Sequence, residues 1–190
     1  MNPYTACNRM NLIKTELPGV VLLEPRVFED ERGLSYESYN RRTFRSLTGV
    51  DADFVQDNRS RSAKNVLRGL HYQIRQPQGK LISVLRGEVY DVAVDLRRSS
   101  KHFGKWTGFT LSAENRRMAW IPPGFGHGFL ALADGTEVQY KLSDFWAPEH
   151  ERCLLWNDPA IGIRWPLEGA ARLSPRDAKG ARLAEADVYP

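Results

Sequence analysis

Cysteine is scarce in this sequence: of its 190 residues, only Cys7 and Cys153 are cysteines. Two cysteines do not make the disulfide framework of a small secreted protein, so reduced thiols in a cytosolic protein are the simpler interpretation. Residues 1–19 also lack the continuous apolar segment of a signal peptide. These absences favour a cytoplasmic protein.

Long apolar runs and blocks of one charge are missing as well. No apolar stretch approaches the roughly 20 residues that a membrane-spanning helix requires. The chain has 27 Lys and Arg against 23 Asp and Glu, and the two signs alternate along it. This distribution is typical of a solvated surface or of a pocket for an anionic ligand. We therefore expect neither a nucleic-acid partner nor a membrane partner.

Several widespread catalytic motifs are absent, namely the P-loop, the GxGxxG turn, the nucleophile elbow and the CxxC pair. Metal sites in β-barrels combine histidines with carboxylates, and His127 in PPGFGHG raises that alternative. His71, however, has Gly69 and Gln73 two positions away on either side, not a second histidine. We expect no metal and no cofactor, and a metal-dependent oxygenase is the less favoured alternative.

The residues that are present predict an all-β protein. Many short alternating segments are separated by Gly and Pro turns, a pattern typical of a jelly-roll barrel of antiparallel strands with a few short helices. A length of 190 residues fits a single domain with a sizeable core. Within it, residues 1–10 are predicted to be an N-terminal extension and residues from about 170 to 190 a polar tail with room for a short helix.

Four local predictions are specific enough to check. Asn40 and Gly49 can cap a short helix between them. Residues 80–96 form two strands around a turn at Gly87. The segment PPGFGHG is predicted to be a tight loop before a strand, and Asp134-Gly135 is predicted to be a hairpin turn.

The segment VLRGLHYQ, residues 66–73, is an unusual strand because it carries Arg68 and His71. Strict alternation places Gly69, His71 and Gln73 on one face, which suits a barrel interior that holds a polar ligand. Arg68 then falls on the other face, unless a bulge at Gly69 turns both side chains inward. Residue parity alone leaves both arrangements open.

Other polar residues have ordinary structural interpretations when each is taken singly. Tyr140 fits a core tyrosine, Lys80 a surface lysine and Asp177 a helix cap or loop acid. His127 fits a turn histidine as well as a ligand contact, since glycines on both sides allow close approach of a ligand.

Nine segments, in the same order over about residues 11–182, carry a family resemblance: DERG, FVQDNRS, VLRGLHYQ, PQGKL, GEVYDVAVDLR, LSAEN, WIPPGFGHGF, WNDPAIGIRWP and LSPRD. On these segments the chain closely resembles the dTDP-4-dehydrorhamnose 3,5-epimerases, a cupin-type jelly-roll family. The resemblance implies an isomerase that inverts C3 and C5 of dTDP-4-dehydro-6-deoxy-D-glucose and gives dTDP-4-dehydro-L-rhamnose. A relative that inverts only C3 is the alternative.

The resemblance also implies roles for individual residues. His71 matches the base, Asp177 the carboxylate that orients it, Tyr140 the opposing acid and Lys80 the cation near the developing oxyanion. The implied substrate contacts are Arg32, Glu37, Gln56, Asn58, Arg68, His127, Trp146, Glu151 and Arg176, with Trp146 stacked on thymine. This chain departs from the family in having Leu34-Ser35 and Phe145-Trp146 where aromatic residues and Tyr-Tyr are usual.

Members of the family are commonly homodimers in which an N-terminal strand of one chain completes the partner's site. The resemblance therefore implies a homodimer with strand exchange, in which Arg32 and Glu37 act on the partner's substrate.

Overall fold

The computed structural model describes residues 10–190 and contains mostly β-strands. Within these residues the elements follow the order β1 (Met10–Lys14), β2 (Val21–Pro25), β3 (Val27–Asp30), β4 (Gly33–Tyr36), α1 (Arg41–Thr48), β5 (Gln56–Ser62), β6 (Leu67–Gln73), β7 (Lys80–Arg86), β8 (Glu88–Asp95), β9 (Trp106–Ser112), β10 (Met118–Ile121), β11 (Phe125–Ala131), β12 (Thr136–Leu142) and β13 (Glu151–Cys153). Two 3₁₀ turns cover Pro148–His150 and Asp177–Lys179. None of the helices among these residues has the length and apolar character to span a bilayer.

The strands form two antiparallel sheets that pack face to face. The six-stranded sheet has the order β1-β2-β10-β7-β12-β5, and the five-stranded sheet has the order β13-β6-β11-β8-β9. Strands β3 and β4 pair as a separate hairpin. The prediction of an all-β, antiparallel jelly roll is therefore confirmed.

Three apolar clusters hold the layers together, and each lies on a different sheet surface. The central cluster fills the space between the sheets and includes Ile82, Val138 and Phe129. A second cluster covers the outer face of the five-stranded sheet, and a third packs α1 on the outer face of the six-stranded sheet. Because the sheets are covered on both faces, β8 buries Val92 and Val94 outward and Ala93 inward, in the alternation of a regular strand.

The helix prediction is confirmed at both ends. The side chain of Asn40 accepts hydrogen bonds from the backbone N–H groups of Arg42 and Thr43, and Gly49 ends α1 with a left-handed φ of 73°. Phe44, 1% exposed, packs edge-on against Trp120 at 5.2 Å between ring centroids. This contact holds α1 on the six-stranded sheet.

Two turn predictions need correction. Phe125, Gly126 and His127 belong to β11, so the loop before that strand is shorter than predicted. The Asp134-Gly135 turn does not form a hairpin, because β11 pairs with β6 and β8 while β12 pairs with β5 and β7. Turn residues fix a local reversal. Core packing decides which strands pair. Here the Asp134-Gly135 turn connects β11 in the five-stranded sheet to β12 in the six-stranded sheet.

The two chain ends also differ in character. Residues 1–9 of the predicted N-terminal extension lie outside the described residues, and Met10 already belongs to β1. The segment predicted as a polar tail contains Ala186 and Val188, which are buried in the outer cluster of the five-stranded sheet. Tyr189 donates a 2.7 Å hydrogen bond to the carbonyl of Gln73. The C-terminal segment thus covers this sheet, and its helical content is the turn Asp177–Lys179.

Candidate active site

A cavity of about 510 Å³ lies between the two sheets. It brings together most of the residues that the sequence predicted for the site: Gln56, Asn58, Arg68, His71, Lys80, His127, Tyr140, Trp146, Glu151, Arg176 and Asp177. The remaining two, Arg32 and Glu37, lie elsewhere. Arg32 is in the β3–β4 turn and pairs with Asp30, and Glu37 accepts a hydrogen bond from Asn40.

Arg68 and His71 face the same cavity because β6 is bulged between them. His71 pairs with His127 and Arg68 with Phe129, so three steps along β6 correspond to two along β11. Gly69 has a φ of 106° and packs tightly on β11; a Cβ atom there would lie 2.5 Å from the carbonyl oxygen of His127. Of the two arrangements left open by the sequence, the structure has the bulge.

His71 is held by a buried carboxylate. Its Nε2 lies 2.6 Å from Oδ1 of Asp177, and the Ser174 hydroxyl donates a 2.8 Å hydrogen bond to Oδ2. Burial favours the neutral acid, but the hydrogen bonds from His71 and Ser174 outweigh it and keep the pKa of Asp177 below its usual value. An ionised Asp177 orients the ring and can stabilise a proton taken up by its other nitrogen.

A second histidine–aspartate pair lies beside the first. Nε2 of His127 is 2.9 Å from Oδ2 of Asp91, which is completely buried. Within the described residues, Oδ1 of Asp91 has no hydrogen-bond partner. Burial lowers the pKa of His127, although the charge of Asp91 opposes that shift. The pair therefore sets a buried histidine of lowered pKa, held by a buried carboxylate, against the cavity.

Lys80 is a desolvated cation near these pairs. Its Nζ donates a 3.3 Å hydrogen bond to the carbonyl of His71. Burial lowers the pKa of Lys80 to about 8, and the negative charges of Glu151 and Asp91 act against the shift. A partly desolvated ammonium group of this kind can stabilise a developing anion strongly.

Tyr140 enters the cavity from the opposite sheet. It lies on β12, between the partners Asn58 on β5 and Ile82 on β7. Its ring packs against the central cluster while the residue lines the cavity. His71 and Tyr140 can therefore act on one ligand from two sides.

The rim of the cavity carries an exposed aromatic ring in a polar frame. Trp146 is 55% exposed, and its Nε1 donates a 2.9 Å hydrogen bond to Glu151. Glu151 also lies 2.6 Å from a guanidinium nitrogen of Arg176. Burial raises the pKa of Glu151, but the hydrogen bonds of Arg176 and Trp146 more than offset this and keep it below its usual value. A fixed flat ring beside a cation suits a nucleobase and its phosphates.

Asp91 and Cys153 are the two neighbours of the histidines that the sequence interpretation did not select. One sequence feature could have identified Asp91: it is a carboxylate that lies on the same inward face of β8 as Ala93. Cys153 carried none, because it lies opposite His71 only through the pairing of β13 with β6.

A jelly roll whose cavity is lined by a histidine–aspartate pair, by a tyrosine on the other sheet and by a lysine defines a cupin-type protein with a site suited to acid–base chemistry. Comparison with known proteins makes the assignment specific. The family model described as dTDP-4-dehydrorhamnose 3,5-epimerase matches residues 14–185, and the chain belongs to this family of isomerases.

Individual relatives agree with the family model. The chain is 58% identical over 181 residues to the dTDP-4-dehydrorhamnose 3,5-epimerase of Pseudomonas aeruginosa, covering 95% of this chain and 100% of the relative. The crystal structure of the Legionella pneumophila dTDP-6-deoxy-D-glucose-3,5-epimerase in complex with dTDP-4-keto-L-rhamnose has a TM-score of 0.92 and 49% identity, covering 94% of this chain and 95% of that one. A 3'-monoepimerase from Streptomyces bikiniensis in complex with dTDP-quinovose is more distant, with a TM-score of 0.84 and 34% identity, covering 90% and 86%.

Proposed function

We propose that the protein inverts C3 and C5 of dTDP-4-dehydro-6-deoxy-D-glucose, giving dTDP-4-dehydro-L-rhamnose. The observation that carries this proposal is the position of His71 and Tyr140 on different sheets around one cavity. Inversion removes a proton from one face of a carbon and adds a proton to the other, so a base and an acid must lie on opposite sides of the sugar. The names of the similar enzymes supply the substrate class.

The C4 ketone makes the hydrogens at C3 and C5 acidic. His71 takes one of them with the ring nitrogen that does not face Asp177, and the carboxylate stabilises the imidazolium that forms. The electron pair of the broken C–H bond becomes an enolate with its charge on the C4 oxygen. Tyr140 then protonates the same carbon from the other face. A proton returns from His71 to Tyr140 through solvent before the second inversion.

Lys80 stabilises the enolate oxygen in this scheme. The buried charge of Asp91 helps to keep the ammonium group protonated, and His127 holds Asp91 in place through the 2.9 Å contact. A cation preorganised in a partly dry site needs little reorganisation when charge develops, which is the usual source of such stabilisation.

The rim residues bind the nucleotide. Trp146 stacks on thymine, while Arg68 and Arg176 neutralise the diphosphate through charge-assisted hydrogen bonds. Gln56, Asn58, His127 and Glu151 contact the rest of the ligand. Gln56 already fixes the rim, because its side-chain oxygen accepts a 3.0 Å hydrogen bond from the backbone N–H of Trp146.

Arg32 and Glu37 act in a homodimer, each on the partner's substrate. Their distance from the cavity of their own chain supports this arrangement, as does the exposed β3–β4 hairpin with Phe28 46% and Leu34 44% exposed. The outer strands β1 and β9 of the two sheets border a groove of about 790 Å³ that has room for an exchanged N-terminal strand. The dimer acts in the cytoplasm, where the free thiol of Cys153 would stay reduced.

Mixed dimers test this arrangement. An Arg32→Ala chain and a His71→Asn chain should each be nearly inactive alone. If Arg32 acts on the partner's substrate, mixing them by unfolding and refolding restores activity, because the site with an intact His71 receives an intact Arg32. No recovery in refolded mixtures that do contain heterodimers places Arg32 in its own chain's site.

Inversion at C3 alone is the second candidate, favoured by the likeness to the 3'-monoepimerase. NMR of the product formed in deuterated water separates the two functions. We expect deuterium and inverted configuration at both C3 and C5. Deuterium and inversion confined to C3 would establish the alternative, and no exchange at either carbon would overturn proton transfer altogether.

A further inference from the structure

Three potential metal ligands of different chemistry meet beside the cavity. A nitrogen of His71, the sulfur of Cys153 and a carboxylate oxygen of Asp177 all lie within 4.8 Å of one another. Cys153 and His71 are direct cross-strand partners on β13 and β6, so their spacing is set by the sheet. Asp177 is supported by Ser174 and by the backbone N–H of Gly69.

We propose that His71, Cys153 and Asp177 form a binding site for a thiophilic divalent cation, with Zn²⁺ as the best match, and that this ion inhibits the enzyme. One thiolate, one imidazole and one carboxylate make a donor set that zinc accepts, and a fourth position toward the cavity would hold water. This site overlaps the site of the chemistry proposed above, because His71 and Asp177 also serve there in proton transfer.

The present geometry needs only small changes to hold the ion. Tetrahedral zinc with ordinary bond lengths separates its nitrogen and oxygen ligands by about 3.3 Å, and its sulfur and oxygen ligands by about 3.6 Å. The corresponding distances here are 2.6 Å from His71 Nε2 to Asp177 Oδ1 and 3.9 Å from Cys153 Sγ to the same oxygen. Both of these distances change by less than about 1 Å, which side-chain rotation can provide, and the His71 and Cys153 ligand atoms start within 4.8 Å of each other.

Charge is balanced by the release of one proton. A cysteine side chain is normally a thiol at neutral pH, so Cys153 carries a proton before the ion arrives. Binding expels that proton, and a thiolate together with the Asp177 carboxylate neutralises a divalent ion. Among the described residues, the charged groups facing the thiol are Asp177, Arg176 and Glu151, and the last two form an ion pair with each other.

Inhibition follows from the ligands that the ion occupies, and this part rests on the proposed function. Zinc at Nε2 of His71 places a cation on the ring and removes Asp177 as its partner. Both changes lower the basicity of the remaining ring nitrogen. The binding part of the proposal does not depend on any activity.

Cobalt(II) provides a test of binding alone, because a thiolate bound to Co²⁺ gives an intense near-ultraviolet charge-transfer absorption. We expect this band on titration of the full protein and of a Cys7→Ser variant, and its loss in Cys153→Ser. Zinc should abolish the band by displacement. A band that is absent from the full protein, survives in Cys153→Ser or disappears in Cys7→Ser overturns the site. If Cys153→Ser does not fold, His71→Asn decides the matter through at least a tenfold loss of Co²⁺ affinity.

The inhibitory part is tested by turnover, with each variant compared with its own metal-free rate. Micromolar Zn²⁺ should suppress the full protein and Cys7→Ser reversibly, and EDTA should restore both. Cys153→Ser should need at least about tenfold more zinc. Cys153→Ser could lose the cobalt band and still be inhibited by zinc as strongly as the full protein. That result would show that zinc inhibits at another place and would overturn the inhibitory role. A preparation that shows no turnover under any condition contradicts the proposed function but leaves the cobalt result intact.

Discussion

His71 on β6 and Tyr140 on β12 line one cavity from two different sheets. This relationship gives the two residues separable roles. His71→Asn should block the first step, so no solvent deuterium enters the substrate at C3 or C5. Tyr140→Phe leaves the base in place, so exchange at the first carbon attacked should continue while epimer formation falls by about 10²–10⁴-fold. NMR of recovered substrate and product measures both quantities.

A merely structural Tyr140 would behave differently, because its loss would reduce exchange and inversion together. Equal loss of both in a folded Tyr140→Phe protein, or continued exchange in His71→Asn, contradicts the assignment of roles.

Lys80 should set the alkaline limit of catalysis. Burial lowers its pKa to about 8, so the ammonium form is present below that pH and is lost above it. The value of kcat/KM, which reports the free enzyme, should therefore fall as pH rises through about 8. Arginine keeps its charge at all accessible pH values. The kcat/KM of Lys80→Arg should therefore not fall in this pH range, whatever the absolute rate of the variant. If the kcat/KM of Lys80→Arg still falls as pH rises through about 8, the fall arises from another ionisable group.

Trp146 and its neighbour Phe145 form a matched pair for testing nucleobase stacking. Phe145 is 59% exposed and Trp146 is 55% exposed, but only Trp146 lines the cavity. Trp146→Ala should weaken dTDP binding by about 1–3 kcal/mol, roughly 5- to 150-fold, with little change in kcat. Phe145→Ala should leave the affinity within about twofold of the parent. Titration calorimetry with dTDP measures this, and equal effects in the two variants would contradict the placement of thymine on Trp146.

Gly69 should be among the least replaceable glycines. Its φ is 106°, and a Cβ would lie 2.5 Å from the carbonyl oxygen of His127 and 2.6 Å from Cα of Gly128. Gly33 shares a positive φ of 123° but has nothing within 4 Å of such a Cβ. Gly33→Ala should lower the free energy of unfolding by about 1 kcal/mol through backbone strain alone. Gly69→Ala should lower it by about 3 kcal/mol or more, because strain and a backbone clash add. Urea unfolding measures both free energies. Similar losses in the two variants would mean that β6 can move away from β11 at Gly69 to make room for a Cβ atom.

The sequence predicted those features that depend on neighbouring residues. Asn40 and Gly49 bound a helix because caps act within one turn. The alternation in β8 is visible because period two is a local property. The Asp134-Gly135 turn was placed correctly, but its hairpin was wrong, since the choice of partner strand depends on how the whole core packs.

For the site too, some features could be predicted from the sequence and others depend on how the strands pack. The residue types of the cavity could be identified by family resemblance, and the structure brings most of them together. The orientation of Arg68 could not be decided from parity, because it depends on the bulge where β6 meets β11. Cys153 and Asp91 were missed because their proximity to the histidines arises only from strand pairing and burial.

The division of the site between two sheets has a consequence for protein engineering. The lining residues run from Gln56 to Asp177 in the chain, and those that lie on strands come from strands that alternate between the sheets. No contiguous fragment therefore carries the chemistry, and transplanting a loop or hairpin into another scaffold would move only part of it. Altered sugar specificity has to be built by single replacements inside an intact scaffold. Catalytic activity can in turn serve as a sensitive assay for whether the two sheets still pack correctly against each other.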